Sequence, residues 1–180
     1  NALYGGPSGD LLRGTTGDDI LDGQAGNDTL RGGRGADVVE GGAGNDTVKG
    51  TRGRDTVRGG EGDDLVKGGG GRDSLFGDGG DDDLRGWRGA DRLDGGTGAD
   101  TLRGGPGADT FVFRPGYGAD RITDFGNGND RIEVTGFGDA EAVMDLARAT
   151  GGDVVIDFGE SDALTIEDTT LSAVEQALVV

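Results

Sequence analysis

Twelve aspartates recur along the chain at a spacing of nine residues, and neither His nor Cys occurs anywhere. Evenly spaced carboxylates are hard anionic ligands, which favour calcium over zinc or copper, while magnesium is disfavoured because it demands a tight octahedron and keeps its waters. The lack of His and Cys excludes Cys/His zinc sites, disulfides and nucleophiles activated by a histidine base. We therefore predict calcium binding and no catalytic site. The aspartates are Asp10, Asp19, Asp28, Asp37, Asp46, Asp55, Asp64, Asp73, Asp82, Asp91, Asp100 and Asp109.

Each aspartate occupies position 6 of a nine-residue repeat that runs without insertion from residue 5 to residue 112. Position 1 is always Gly, position 4 is Gly except at Ser8, and position 8 is always apolar. Glycines at positions 1, 2 and 4 let the backbone adopt φ > 0 and turn its carbonyl groups inward. Positions 7 to 9 predict a very short strand whose middle residue points into a core.

Two repeats complete one coil, so the turns alternate between two sides of the molecule. Aspartates 18 residues apart should meet at the strand spacing of about 4.8 Å, and like charges this close need a cation between them. One ion in every gap between coils sets a ceiling of about ten calcium ions. Gly is replaced at position 4 by Ser8 and at position 2 by Thr15, Gln24, Thr51, Asp78 and Trp87. We therefore predict weaker binding near the N-terminus and around residues 77 to 90.

The composition indicates that folding requires an external cation. The 180 residues include 42 Gly, carry a formal net charge of -18 and are only 32% hydrophobic. Such a chain cannot bury enough apolar surface to offset the entropy of ordering itself, and its charge argues against a nucleic-acid partner. A disordered Gly/Asp-rich linker is the alternative interpretation, but a linker needs neither the strict register nor an apolar position 8.

The repeat resembles the nonapeptide G-G-x-G-x-D-x-U-x of the repeats-in-toxin (RTX) family over residues 5 to 112. The resemblance implies an all-β fold, a right-handed parallel β-roll of two short-stranded parallel sheets, for residues 1 to 113. It also implies that calcium is shared between successive coils by the twelve aspartates and by backbone carbonyls at positions 2 and 4. Those carbonyl positions are Gly26, Gly33, Gly35, Gly42, Gly44, Gly53, Gly60, Gly62, Gly69, Gly71, Gly80, Gly89, Gly96, Gly98, Gly105 and Gly107.

Residues 114 to 180 are expected to form a β-rich cap with one or two short helices, because an open stack of coils needs its edge covered. Residues 114 to 139 predict two or three strands, and Asp139 can cap a helix through about Thr150. Residues 153 to 159 and 162 to 168 predict a hairpin, and Ser172 with Glu175 predicts a capping box.

Two acidic residues in this segment, Asp120 and Asp124, are interpreted as surface carboxylates, with a further ion site as the alternative. No apolar run approaches the roughly 20 residues of a membrane span, and NALYGGPSGD at the N-terminus has neither the basic nor the apolar region of a signal peptide.

The segment ADTFVFRPGYGADRITDF is similar to the region directly after the repeats in secreted bacterial proteases of the serralysin type and in mannuronan epimerases. This resemblance implies a C-terminal module of a larger bacterial protein, exported by type I secretion machinery to the extracellular medium or cell surface. The acidic tail ending in residues 177 to 180 is then the uncleaved secretion signal. We expect a monomer without enzymatic activity of its own, and a catalytic domain upstream of it is compatible with the resemblance.

Six basic residues at position 9 should stack on the outer face of one sheet, which we call the basic ladder. Such a ladder could bind an anionic polysaccharide such as alginate or lipopolysaccharide. The favoured alternative is that it balances nearby aspartates and keeps the sheet soluble and unpaired. The basic ladder consists of Arg13, Arg31, Lys49, Lys67, Arg85 and Arg103.

Overall fold

The structure is a computed structural model that describes residues 1 to 159 and 161 to 180. Its elements in chain order are β1 (Ala2–Gly6), β2 (Leu11–Arg13), β3 (Ile20–Gln24), β4 (Thr29–Arg34), β5 (Val38–Ala43), β6 (Thr47–Arg52), β7 (Thr56–Glu61), β8 (Leu65–Gly70), β9 (Ser74–Gly79), β10 (Asp83–Arg88), β11 (Arg92–Thr97), β12 (Thr101–Arg103), β13 (Thr110–Phe113), β14 (Ala119–Ile122), β15 (Arg131–Val134), α1 (Ala140–Met144), β16 (Ala147–Thr150), β17 (Asp153–Gly159), β18 (Asp162–Ile166), α2 (Leu171–Ala177) and β19 (Leu178–Val179).

The strands form two facing sheets in which each strand pairs with the strand one coil further along the chain. The first sheet has the order β1-β3-β5-β7-β9-β11-β13-β15-β19, and the second has β2-β4-β6-β8-β10-β12-β14-β18-β17-β16. Paired residues in the repeats are 18 positions apart, as in the parallel series Leu30, Val48 and Val66. The predicted all-β parallel β-roll with two repeats per coil is confirmed.

The core is a double column of the apolar residues at position 8. All twelve are buried, and eleven of them are at most 1% exposed, because each side chain from one sheet packs against its neighbours inside the roll. The central strands are longer than the predicted three residues. They continue through position 3 of the next repeat, since pairing between coils persists there, for example between Gly33 and Thr51.

The two sheets continue without a break into residues 114 to 180. Strands β14, β15, β18 and β19 all pair in parallel with the coil before them. Strands β17 and β18 also form the predicted antiparallel hairpin, whose residue 160 lies outside the described residues. The ring of Phe158 packs against Phe113 and Phe137, with centroids 4.9 and 5.0 Å apart, which attaches the hairpin to the end of the roll.

Two predictions for the helices are wrong. The helix that Asp139 caps ends at Met144, and residues 147 to 150 form β16 instead, because the open edge of β17 offers backbone hydrogen bonds that a short isolated helix cannot match. The N-cap of helix α2 is Thr170, two residues before the predicted Ser172, and its hydroxyl accepts the Ala173 N–H. Neither of the two described helices has the length and apolar character needed to cross a membrane.

Candidate metal centre

The turns between strands bring backbone carbonyl groups of one coil against the backbone of the next. Gly44, at position 4, has φ +127°, and a Cβ there would overlap the carbonyl oxygen of Gly26. Gly60, at position 2, has φ +123°, and a Cβ there would overlap the carbonyl oxygen of Gly42. Only Gly combines this backbone conformation with such a close approach. The repeated glycines therefore line each gap between coils with oxygen atoms.

The aspartates at position 6 reach into these turns and connect neighbouring coils. Asp46 is 3% exposed, and its Oδ1 accepts the backbone N–H of Asp28 at 2.7 Å. In the same way, Asp64 Oδ1 accepts the N–H of Asp46 at 2.7 Å, and Asp73 Oδ1 accepts the N–H of Asp55 at 2.9 Å. In each row, the carboxylate of one coil is thus held by the backbone of the coil before it.

The second carboxylate oxygen of these residues has no hydrogen-bond partner although it is buried. A buried anionic oxygen without a partner is strongly unfavourable unless a cation compensates it. Oxygen atoms from carboxylates and carbonyls are also the ligands that calcium prefers, so the residues present fit this ion. The unpartnered atoms are the Oδ2 atoms of Asp28, Asp37, Asp46, Asp55, Asp64, Asp73, Asp82, Asp91, Asp100, Asp109 and Asp120.

The same burial raises the carboxyl pKa values in the middle of the roll. Desolvation is the largest cause, and neighbouring aspartates of the same row add to it by charge repulsion. The pKa of Asp55 rises to about 6, that of Asp64 to about 7 and that of Asp82 to about 8. At neutral pH, Asp64 is therefore about half protonated and Asp82 mostly protonated unless positive charge is brought to them, whereas Asp55 stays mostly ionised.

Each candidate ion site draws on two coils rather than on a compact acidic cluster. Within residues 1 to 159 and 161 to 180, no three acidic side chains converge closely enough to hold a metal ion by themselves. A calcium ion in these gaps would need backbone carbonyls for most of its remaining ligands, as the glycine pattern predicts. The twelve predicted aspartates, the predicted position 4 glycines and Gly105 lie between strands. The other predicted position 2 glycines lie in the last part of a strand, namely Gly33, Gly42, Gly60, Gly69 and Gly96.

Four residues that replace Gly at position 2 keep the same left-handed backbone. Their φ angles are 73° at Gln24, 114° at Thr51, 79° at Asp78 and 77° at Trp87, so the shape of the turn is preserved. Thr51 is β-branched, which makes its positive φ unfavourable, and its buried hydroxyl has no hydrogen-bond partner. Weaker calcium binding at such turns stays a prediction.

The interpretation of Asp120 and Asp124 as surface carboxylates is wrong. Asp120 is 2% exposed, and its Oδ1 accepts the backbone N–H of Asp100 at 3.1 Å. The side chain of Asp124 is 8% exposed, and its two oxygens accept the N–H groups of Gly104 and Gly105 at 2.9 Å each. Both carboxylates therefore accept backbone N–H groups of the coil before them, as the position 6 aspartates do, although they lie beyond the twelve repeats.

The basic ladder forms on the outer face of the second sheet, where its six members are in direct register. Arg85 pairs with Asp83, and Arg103 lies 3.5 Å from Asp124, so part of the ladder balances nearby aspartates as expected. The other four members make no ion pair with any carboxylate that the structure describes.

Stacked coils with buried carboxylates facing carbonyl-lined turns define a repeat-built, cation-binding module. The family model for the RTX calcium-binding nonapeptide repeat matches four times, at residues 4–39, 40–75, 58–93 and 88–118. These matches span more than half of the chain, which therefore belongs to the RTX calcium-binding repeat family. It is accordingly a calcium-binding repeat module of the kind found in secreted proteins, and not a catalytic domain.

Several solved structures resemble the chain, among them a lipase and a subunit of an epimerase. The extracellular lipase LipA from Serratia marcescens is 20% identical with a TM-score of 0.59, and the match covers 100% of this chain and 40% of the lipase. The AlgE6R3 subunit of the Azotobacter vinelandii mannuronan C5-epimerase is 32% identical with a TM-score of 0.51, covering 66% of this chain and 78% of that one. A search of curated protein sequences gave no significant match.

Proposed function

We propose that this chain is a calcium-operated folding module of a larger secreted bacterial protein. The observation that carries the proposal is the set of buried carboxylate oxygens without partners in the turns. In the calcium-poor cytoplasm, repulsion and desolvation of these groups keep the chain unfolded. Outside the cell, calcium is held by the position 6 carboxylates and the carbonyls at positions 2 and 4, and the roll forms. Extracellular calcium modules typically bind at about 0.1 to 1 mM, above the cytosolic concentration.

Protease resistance tests this folding step. The purified chain should be degraded rapidly in chelator and protected in calcium at about 2 mM, because only the folded roll hides its backbone. The same concentration of magnesium should protect it far less. Equal resistance in chelator and in calcium would contradict the proposal.

We further propose that residues 114 to 180 cap the roll and that the C-terminal end carries the type I secretion signal. An unfolded, acidic chain is suited to threading through a secretion channel, and folding outside would prevent its return. A reporter fused to the N-terminus of the chain should appear in the medium when a type I secretion system is co-expressed. When residues 171 to 180 are removed, the reporter should remain in the cell. Export that is independent of this tail would refute the assignment.

A second candidate function is binding of an anionic polysaccharide on the basic ladder. It is favoured by an open groove of about 550 Å³ at the N-terminal end of the ladder. Four arginines line this groove, namely Arg13, Arg31, Arg34 and Arg52. Guanidinium groups in rows suit the repeated carboxylates of such a polymer.

Retention on alginate beads in calcium tests this second candidate. Charge reversal in the ladder, Arg31→Glu with Lys49→Glu, should abolish retention. The matched control is Arg54→Glu with Arg72→Glu, which removes the same charge from two exposed turn positions and should leave retention close to wild type. If the Arg31→Glu, Lys49→Glu variant is still retained on the beads, this second function is refuted and the calcium proposal is unaffected.

A further inference from the structure

The order of residues typical of the repeats recurs twice after residue 112. Residues 116 to 122 read GYGADRI and residues 126 to 132 read GNGNDRI, which match positions 2 to 8 of the nonapeptide with Gly, Gly, Asp and an apolar residue in their places. The strict period is broken because Asp109 and Asp120 are 11 residues apart and Asp120 and Asp130 are ten. The last match to the family model ends at residue 118.

The structure places both segments as further half-coils of the roll. Ile122 pairs with Leu102 and Ile132 pairs with Phe111, and both isoleucines are fully buried in the core column. Gly118 has φ +113°, and a Cβ there would overlap the carbonyl oxygen of Gly98. The turn that leads to Asp120 is therefore built like the turns of the regular repeats.

Three acidic side chains in this region differ in how their oxygens are used. Both oxygens of Asp124 accept backbone N–H groups. Asp130 accepts the N–H of Asp109 at 2.9 Å through Oδ1 and that of Gly126 at 2.8 Å through Oδ2. Asp120 bonds only through Oδ1, and its buried Oδ2 has no partner, as for Asp100 one coil earlier.

We infer that Asp120 is a calcium ligand and that it extends the first row of sites by one gap, between the coils of Asp100 and Asp120, beyond the matched repeats. This inference rests on the proposed calcium function. It raises the number of gaps in that row from five to six. It also makes the folding of β14, and of the hairpin strand β18 that pairs with it, dependent on calcium.

Counting bound ions by native mass spectrometry tests the inference. Asp120→Asn keeps the acceptor for the Asp100 N–H but removes the anionic oxygen, so it should bind at least one calcium ion fewer than the wild-type chain. Asp145→Asn removes the same charge from an exposed residue at the end of α1 and should bind as many ions as the wild type. Equal counts for the wild type and Asp120→Asn would overturn the inference. A wild-type chain that binds no calcium would instead overturn the proposed function.

A crystal of the wild-type chain grown in calcium provides a test that needs no variant. An anomalous difference map should show a calcium peak beside Asp120 Oδ2. Peaks in the turns of the regular repeats with none at Asp120 would refute this site and leave the calcium function intact.

Discussion

A single carboxylate such as that of Asp64 has two separate roles. Its Oδ1 accepts the N–H of Asp46 and so joins two coils, while its buried Oδ2 is left without a partner. The first role requires the folded roll, and the second makes that roll unfavourable until a cation is bound. The calcium dependence that we propose therefore arises at the ten position 6 aspartates whose Oδ2 is buried without a partner, and not at Asp10 or Asp19.

We predict that Asp64→Asn and Asp63→Asn have different effects although each removes one negative charge. Asp64→Asn should weaken calcium binding by at least about tenfold, because an ion site loses a charged ligand. Asp63 is exposed and forms hydrogen bonds with Asn45 and Asp81, and Asn is already accommodated at this position in Asn27 and Asn45. Calcium titrations of the two variants check this, and equal effects would show that net charge alone matters.

Replacement of Thr51 by Gly should stabilise the calcium-bound roll by about 1 kcal/mol, since it removes the strain of a β-branched residue at φ 114° and a buried hydroxyl without a partner. Thr47→Gly, in the same strand but without a positive φ, should destabilise it. Urea unfolding in calcium measures both, and a loss of stability in Thr51→Gly would show that this hydroxyl has a role that we have not assigned.

At the scale of the elements, the close approach of successive turns limits which glycines can be replaced. Gly53→Ala should reduce the free energy of unfolding in calcium by about 3 kcal/mol, because its Cβ would overlap the Gly35 carbonyl oxygen at a φ of +134°. Gly70→Ala is the matched control, since no atom lies within 4 Å of its added Cβ. Similar stabilities of the two variants would mean that the coils can separate without loss.

The repeated part of the roll could be predicted from the sequence because one period specifies strand, turn and core together. The residues after 112 were harder to assign, since insertions of one and two residues hide the same pattern around Asp120 and Asp130. The strand at 147 to 150 could not be predicted, because it depends on the edge of β17 and not on its own residues.

At the scale of the whole molecule, protons should partly replace calcium. The raised pKa values of Asp64, Asp82 and Asp91, about 7, 8 and 7, lie above the unfolded value of about 3.9. At pH values between the unfolded and the folded pKa, the folded chain binds more protons than the unfolded chain. The metal-free roll therefore gains stability as the pH falls from about 8 towards about 4.

Circular dichroism in chelator at about pH 9 and about pH 5.5 tests this expectation, because these pH values lie above and below the raised pKa values. More β-structure is expected at the lower pH, and calcium should bind more weakly there because it must displace protons. Less structure at the lower pH would contradict the raised pKa values.

Folding of the intact chain by calcium is the central claim, and a far-ultraviolet circular dichroism titration tests it most directly. We expect disordered spectra in chelator and in magnesium, followed by a cooperative transition to β-structure as calcium is added, because each turn serves two neighbouring gaps. A spectrum that is already folded in chelator at neutral pH, or that does not respond to calcium, would contradict the account.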